Sequence, residues 1–214
     1  MTVSWTQRSV DADGVDVRIR EAGEGPALAI LHSAGGPERP SAATDLLAAR
    51  LRVVGLELPG LGASPREDRA QACARLAATM AAAATAAGLE AYALLGASTG
   101  ALVATHMALA HPERVQALVL DAPAAPGDDE ALRARLPELD LPTMIVIGTR
   151  DEPAASEAGR EHKRRIARSD LVYVYDAGRS IAGDRPEAYA ELVADFVVRR
   201  EGHVVDRRSR VINP

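Results

Sequence analysis

The chain has 214 residues, 25 basic against 30 acidic side chains, a formal net charge of −5 and a hydrophobic share of 47%. That length suits one domain, and that apolar share excludes a chain too polar to bury a core. The acidic balance argues against a nucleic-acid partner, because phosphate contact favours a basic surface, and no apolar run approaches the ~20 residues that cross a bilayer, so no membrane partner is expected either.

In chain order, Val3 to Val10 and Val15 to Ile19 read as a hairpin turning at Asp13-Gly14. Leu28-Ala29-Ile30-Leu31 and Val53-Val54-Gly55-Leu56 are short apolar strands, followed by a helix over Gln71 to Ala87 that Gly88 can close. Ala93-Leu94-Leu95 is the next strand, then an apolar helix over Gly100 to Ala110 that ends before Pro112. Leu118-Val119-Leu120, Met144-Ile145-Val146-Ile147 and Leu171 to Tyr175 complete the strands. A final helix over Arg185 to Arg200 has Pro186 in its first turn and Tyr189, Leu192, Val193 and Phe196 on one face. The strands are nearly continuous in hydrophobicity, as strands covered on both faces are, and they alternate with helices. The expectation is an α/β domain over residues 1–201, a mostly parallel sheet with right-handed crossovers, and a polar C-terminal tail over 202–214. That tail is either a loose arm or an added strand through Val204-Val205 and Val211-Ile212. Cys73 is the single cysteine, and the first residues carry no charged-then-apolar leader, so a soluble cytoplasmic protein is expected. Nothing in the chain asks for a metal or a cofactor.

Gly96-Ala97-Ser98-Thr99-Gly100 lies between a strand and a helix. A tight turn there forces its central residue into strained backbone angles and lifts the Ser98 hydroxyl above the carboxyl end of the sheet. Glycines two places either side remove the side chains that would clash. The Thr99 amide then points to where an oxyanion would form, at a helix N-terminus. Five residues alone are weak evidence; their placement carries the reading.

With that turn in place, the chain resembles the α/β-hydrolase family over about 200 residues. His32-Ser33-Ala34-Gly35-Gly36 looks like the family's His-Gly oxyanion loop, with Ser33 in place of the glycine. Leu58-Pro59-Gly60-Leu61-Gly62-Ala63-Ser64 is similar to its P-G-x-G-x-S loop, preceded by Glu57, read as a loop anchor. His111-Pro112-Glu113-Arg114-Val115 matches the usual link into the sixth strand, and Gly148-Thr149-Arg150-Asp151 matches the segment that carries the acid. The resemblance implies an eight-stranded α/β-hydrolase fold. It makes Ser98 the nucleophile, Thr99 and Ala34 the amides of the oxyanion hole, and Asp151 the triad acid. Asp121, at the end of the sixth strand, is an alternative acid.

The family's base is a histidine in a Gly-His turn after the last strand. This sequence reads Asp176-Ala177-Gly178-Arg179-Ser180 there, so Arg179 holds the histidine position. A guanidinium stays protonated at any working pH and cannot abstract a proton. Arg179 either pairs with Asp151 or offers its planar fork to a substrate carboxylate or phosphate. Of the five histidines, His32 is nearest to Ser98 along the fold, as a brace for the oxyanion loop or as a relocated base. His106 reads as structural or partly exposed, and His111 ends its helix. His162, in Glu161-His162-Lys163-Arg164-Arg165, reads as a solvated helix face. His203 lies in the tail.

Between Asp121 and Pro142 only one short helix fits, around Asp128 to Leu136, so no cap domain and an open mouth are expected. Three functions compete. The first is a serine hydrolase for an ester, thioester or lactone with an unconventional triad. The second is a non-hydrolytic relative, a ligand-binding protein or a catalyst of rearrangement or cyclisation, that holds an anionic or acyl ligand through Arg179. The third is an assembly protein with a vestigial site. The partner expected is a small-molecule or carrier-bound acyl substrate, and a homodimer is compatible with the fold.

Overall fold

The structure, a computed structural model, describes residues 3–32, 40–60, 73–125 and 130–200. Eight strands form one sheet: β1 (Thr6–Ala12), β2 (Val15–Ala22), β3 (Ala27–Leu31), β4 (Arg52–Leu56), β5 (Tyr92–Ala97), β6 (Val115–Asp121), β7 (Thr143–Gly148) and β8 (Ser169–Val174). Their order across the sheet is β1-β2-β4-β3-β5-β6-β7-β8. β2 runs antiparallel to β1 and β4, and every pairing from β4 to β8 is parallel. The hairpin turns at Asp13 and Gly14, both at positive φ (56° and 83°), the backbone that a two-residue turn between twisted strands requires.

The helices are α1 (Ala42–Ala48), α2 (Cys73–Ala86), α3 (Thr99–Ala110), α4 (Glu130–Arg135), α5 (Pro153–Arg165), α6 (Ile181–Asp184) and α7 (Pro186–Arg199). They cover both faces of the sheet, which explains the unbroken hydrophobicity of the strands. In β7, Ile145 and Ile147 enter the core beneath α2 and α3, while Met144 and Val146 enter the core beneath α1 and α7. Between β6 and β7 the described residues hold only α4 and one 3-10 turn at Leu136–Glu138, so the fold has no cap domain.

The structure departs from the sequence reading at the short helices α1 and α6 and at His162. α1 was not anticipated. Ser41 caps it, accepting from the Thr44 amide at 3.3 Å while its own amide donates to Thr44 Oγ1 at 2.7 Å. The tail proposed for residues 202–214, with His203, lies outside the described residues, as do Ala34, the segment 61–72 and residues 126–129. His162 is a correction. It is 1% exposed on the inner face of α5, with Nδ1 2.8 Å from the Ala158 carbonyl oxygen, and burial holds its pKa below the ordinary value. Its basic neighbours face solvent; the imidazole does not.

Candidate active site

Parallel strands place their carboxyl ends on one edge, and ligands of such sheets bind there, at the point where strand order reverses. Here the reversal lies between β3 and β5. His32 follows β3, Ser98 follows β5, and Asp121 ends β6; Asp151 follows β7 and Arg179 follows β8.

Ser98 alone separates β5 from α3, with φ 52° and ψ −111°. A non-glycine residue in that region costs on the order of 1–3 kcal/mol and persists only where its surroundings enforce it. The enforcement is close packing. A Cβ on Gly96 would sit 2.4 Å from the Gly100 carbonyl oxygen, and one on Gly100 would sit 2.5 Å from the carbonyl oxygens of Leu31 and His32. The first turn of α3 is therefore pressed against the end of β3, and only glycine fits at either place. The Ser98 amide donates to the Asp121 carbonyl oxygen at 2.9 Å, tying the turn to β6. The sharp strand-to-helix turn expected at Ser98 is present.

The acid segment is equally well fixed. The Arg150 amide donates to the Ala177 carbonyl oxygen at 2.8 Å, and a Cβ on Gly148 would lie 2.3 Å from the Gly178 carbonyl oxygen. The turns after β7 and β8 thus pack backbone against backbone. The Gly178 amide also donates to Asp184 Oδ2 at 2.7 Å, which holds the second turn to α6. Asp151 is nearly inaccessible, its side chain 2% exposed, and its Oδ1 accepts the Glu152 amide at 2.8 Å. Arg179 Nη1 stands 3.7 Å from that same oxygen, on a side chain 53% exposed. Asp151 Oδ2 is buried with no hydrogen-bond donor among the described residues. A long ion pair to one oxygen and an orphaned second oxygen differ from an acid that orients an imidazole, whose N–H would satisfy it.

His32 Nε2 accepts the Leu58 amide at 2.9 Å, which ties the end of β3 to the segment after β4 and occupies that nitrogen's lone pair. Asp121, 7% exposed, accepts the Tyr189 hydroxyl at 2.7 Å on Oδ2. Glu57, 3% exposed, stands 3.8 Å from Arg18 Nε, which suits an anchor. Ser98, His32, Glu57, Asp121, Arg179 and Tyr189 all line one cavity of about 400 Å³. His32 is the only histidine among its described lining residues. Asp151 stands behind Arg179, outside that lining. The sequence reading missed Tyr189 as the partner of Asp121, because 68 residues separate them. It also missed the part of the cavity formed by β2 and β4. No helix among the described residues is long and apolar enough to cross a membrane.

The model of the α/β hydrolase fold matches residues 26–135, a span that contains the Ser98 turn. No curated protein matches the sequence. Among solved structures, a predicted CIB-like hydrolase from Thermoplasma acidophilum is similar at 20% identity and a TM-score of 0.78, over 91% of this chain and 98% of that one. The 2-hydroxy-6-oxo-6-phenylhexa-2,4-dienoate hydrolase of Rhodococcus sp. strain RHA1 superposes at 16% identity and a TM-score of 0.80, over 91% and 99%. A meta-cleavage product hydrolase from Pseudomonas fluorescens IP01 superposes at 16% identity and a TM-score of 0.78, over 88% and 96%. At such identities these likenesses concern the fold. With the family model spanning half of the sequence and the eight-stranded sheet, sharp serine turn and strand-end acids all in place, the chain belongs to the α/β-hydrolase fold family.

Proposed function

We propose that the protein acts on acyl carbonyls through Ser98, as a serine hydrolase for an ester, thioester or lactone presented by a small molecule or a carrier, with an unconventional triad. The observation that carries the reading is the backbone of Ser98: a φ of 52° at a serine, enforced by two glycines that nothing larger can replace. Strain of this kind is kept where it serves chemistry. Ser98 Oγ bonds to the carbonyl carbon, the leaving-group bond breaks, and the hydroxyl proton passes to the leaving group or to water. The Thr99 amide, on the first residue of α3, is the oxyanion donor, with Ala34 as its counterpart from the family resemblance. No described histidine is placed to take the proton. Loss of one triad member costs on the order of 10⁴–10⁶ in turnover in well-studied cases, so activated or carrier-bound acyl groups are the expected substrates.

A fluorophosphonate probe tests this reading. Labelling of the native protein within minutes, abolished in Ser98→Ala, is the expected result. A native protein that stays unlabelled overturns it.

One observation favours a second reading. Arg179 lines the cavity and is only loosely held, at 3.7 Å from Asp151, so its fork is available to an anionic group of a ligand. A non-hydrolytic relative would use it so. Tight ligand binding that Arg179→Ala weakens, with no covalent labelling, is the signature of that alternative.

A further inference from the structure

The cavity at Ser98 extends well below the turn. The register aligns Leu95 of β5, Ile30 of β3, Gly55 of β4 and Arg20 of β2 in one row across the sheet. Registered neighbours face the same side, and the row spans three interstrand spacings, roughly 14 Å. All four residues line the cavity, as do Leu47 of α1 and Trp5. α1 packs chiefly against α7 rather than against the strands below it, which leaves the space between helix and sheet.

Gly55 is the informative residue. A glycine in a strand interior weakens the strand and often marks close approach by a ligand or another backbone. No backbone approaches here: a Cβ on Gly55 would meet only the Arg20 carbonyl oxygen, at an ordinary 3.7 Å. Its φ is not in the left-handed range either. Neither packing nor conformation requires the glycine, in contrast to Gly96 and Gly100. Its missing side chain opens the middle of the row. The polar groups at the far end already have partners. Trp5 Nε1 donates to Asp45 Oδ1 at 2.7 Å, Arg20 Nε donates to Gln7 Oε1 at 2.9 Å, and Arg18 stands beside Glu57. Between those groups and Ser98, Ile30, Leu47, Val53 and Leu95 supply an aliphatic stretch of the lining.

We propose that this space is an acyl-chain chamber: it takes the unbranched apolar chain of a medium-length fatty-acyl substrate whose carbonyl lies at Ser98, with Gly55 as the residue that sets its width. The proposal rests on the reading of Ser98 as an acyl-reactive group, and deepens it. Burial of the apolar chain supplies binding free energy that grows with each methylene, which helps a site with weak proton transfer to hold its substrate.

Two measurements test it. Ser98 labelling rates are compared for ethyl and octyl phosphonate probes. The octyl probe reacts at least about tenfold faster with the native protein, and Gly55→Leu brings the octyl-to-ethyl rate ratio down to about one. Trp5 is the only tryptophan, so its fluorescence reports on the chamber without any reaction. A bromine-substituted decanoate quenches it in the native protein and in Ser98→Ala, and loses that effect in Gly55→Leu. If Gly55→Leu fails to fold, Gly55→Ala and the native quenching decide. Equal labelling by both probes together with no quenching overturns the chamber and leaves the nucleophile reading standing. Quenching without labelling by any probe keeps the chamber and removes the nucleophile.

Discussion

The two halves of the site are built to different standards. The serine half, Gly96 to Gly100, is locked by backbone contacts so tight that no side chain larger than hydrogen fits at either glycine. The half formed by Asp151 and Arg179 has backbone just as firmly packed, yet its side chains are poorly matched: Arg179 is half exposed, 3.7 Å from one oxygen of Asp151, while the other oxygen is buried with no donor among the described residues. The turns after β7 and β8 are thus firmly built, and the mismatch lies in the side chains they carry. Ser98 and Arg179 can be altered separately, because they stand on turns that different strands support.

The comparison is broken most severely at the nucleophile. Gly100→Ala drives a methyl group into the carbonyl oxygens of Leu31 and His32, and is expected to lower stability by about 3 kcal/mol and to abolish probe labelling. Chemical denaturation beside the labelling assay measures both. If the variant keeps native stability, the packing account of the turn is wrong. The opposite half is sharpened by Arg179→His. An imidazole there can donate to the orphaned Asp151 Oδ2 and abstract from Ser98, so activated-ester hydrolysis is expected to rise by about a hundredfold. No gain means that the turn after β8 does not present its side chain to Ser98.

Smaller effects test the supports. Tyr189→Phe removes the donor to Asp121 Oδ2 and is expected to cost about 1–2 kcal/mol, seen as a lowered denaturation midpoint. Asp121→Asn in the same background should then cost less than it does alone, the result expected of a coupled pair. Finally, burial depresses the pKa of His162 below 6.5 in the folded protein. Below that value the unfolded chain binds the extra proton and the folded chain resists it, so this contribution is intact above about pH 6.5 and declines as pH falls toward the folded value. Stability measured between about pH 7 and pH 5 should fall more steeply in the native protein than in His162→Gln. Parallel slopes would remove His162 as the source.

Much of this molecule is legible in its sequence. Six parallel strands betray themselves as apolar runs because helices cover both faces, and the serine turn betrays itself because close packing leaves no residue but glycine at Gly96 and Gly100. The place of Arg179 in the turn after the last strand is legible because Gly178 before it and Pro186-Glu187-Ala188 after it bracket that turn. α1 is not, since seven residues with half their face in solvent give little periodic signal, and its start is marked by a Ser41–Thr44 pair rather than by an acidic capping residue. His162 misleads because the charges flanking it in sequence point away from it in space.

The sequence by itself determined the layered α/β architecture, the position of the strained serine and the presence of an arginine, Arg179, in the last turn. These are local properties, set by residues adjacent in the chain or by the period of burial. Only the tertiary structure decided that His32 Nε2 accepts the Leu58 amide, that Tyr189 donates to Asp121, and that Gly55 of β4 lies in one row with Arg20 of β2 and Ile30 of β3. Each of those joins residues far apart in the chain, and such meetings are fixed by how strands register and helices lean, which no short stretch of sequence encodes.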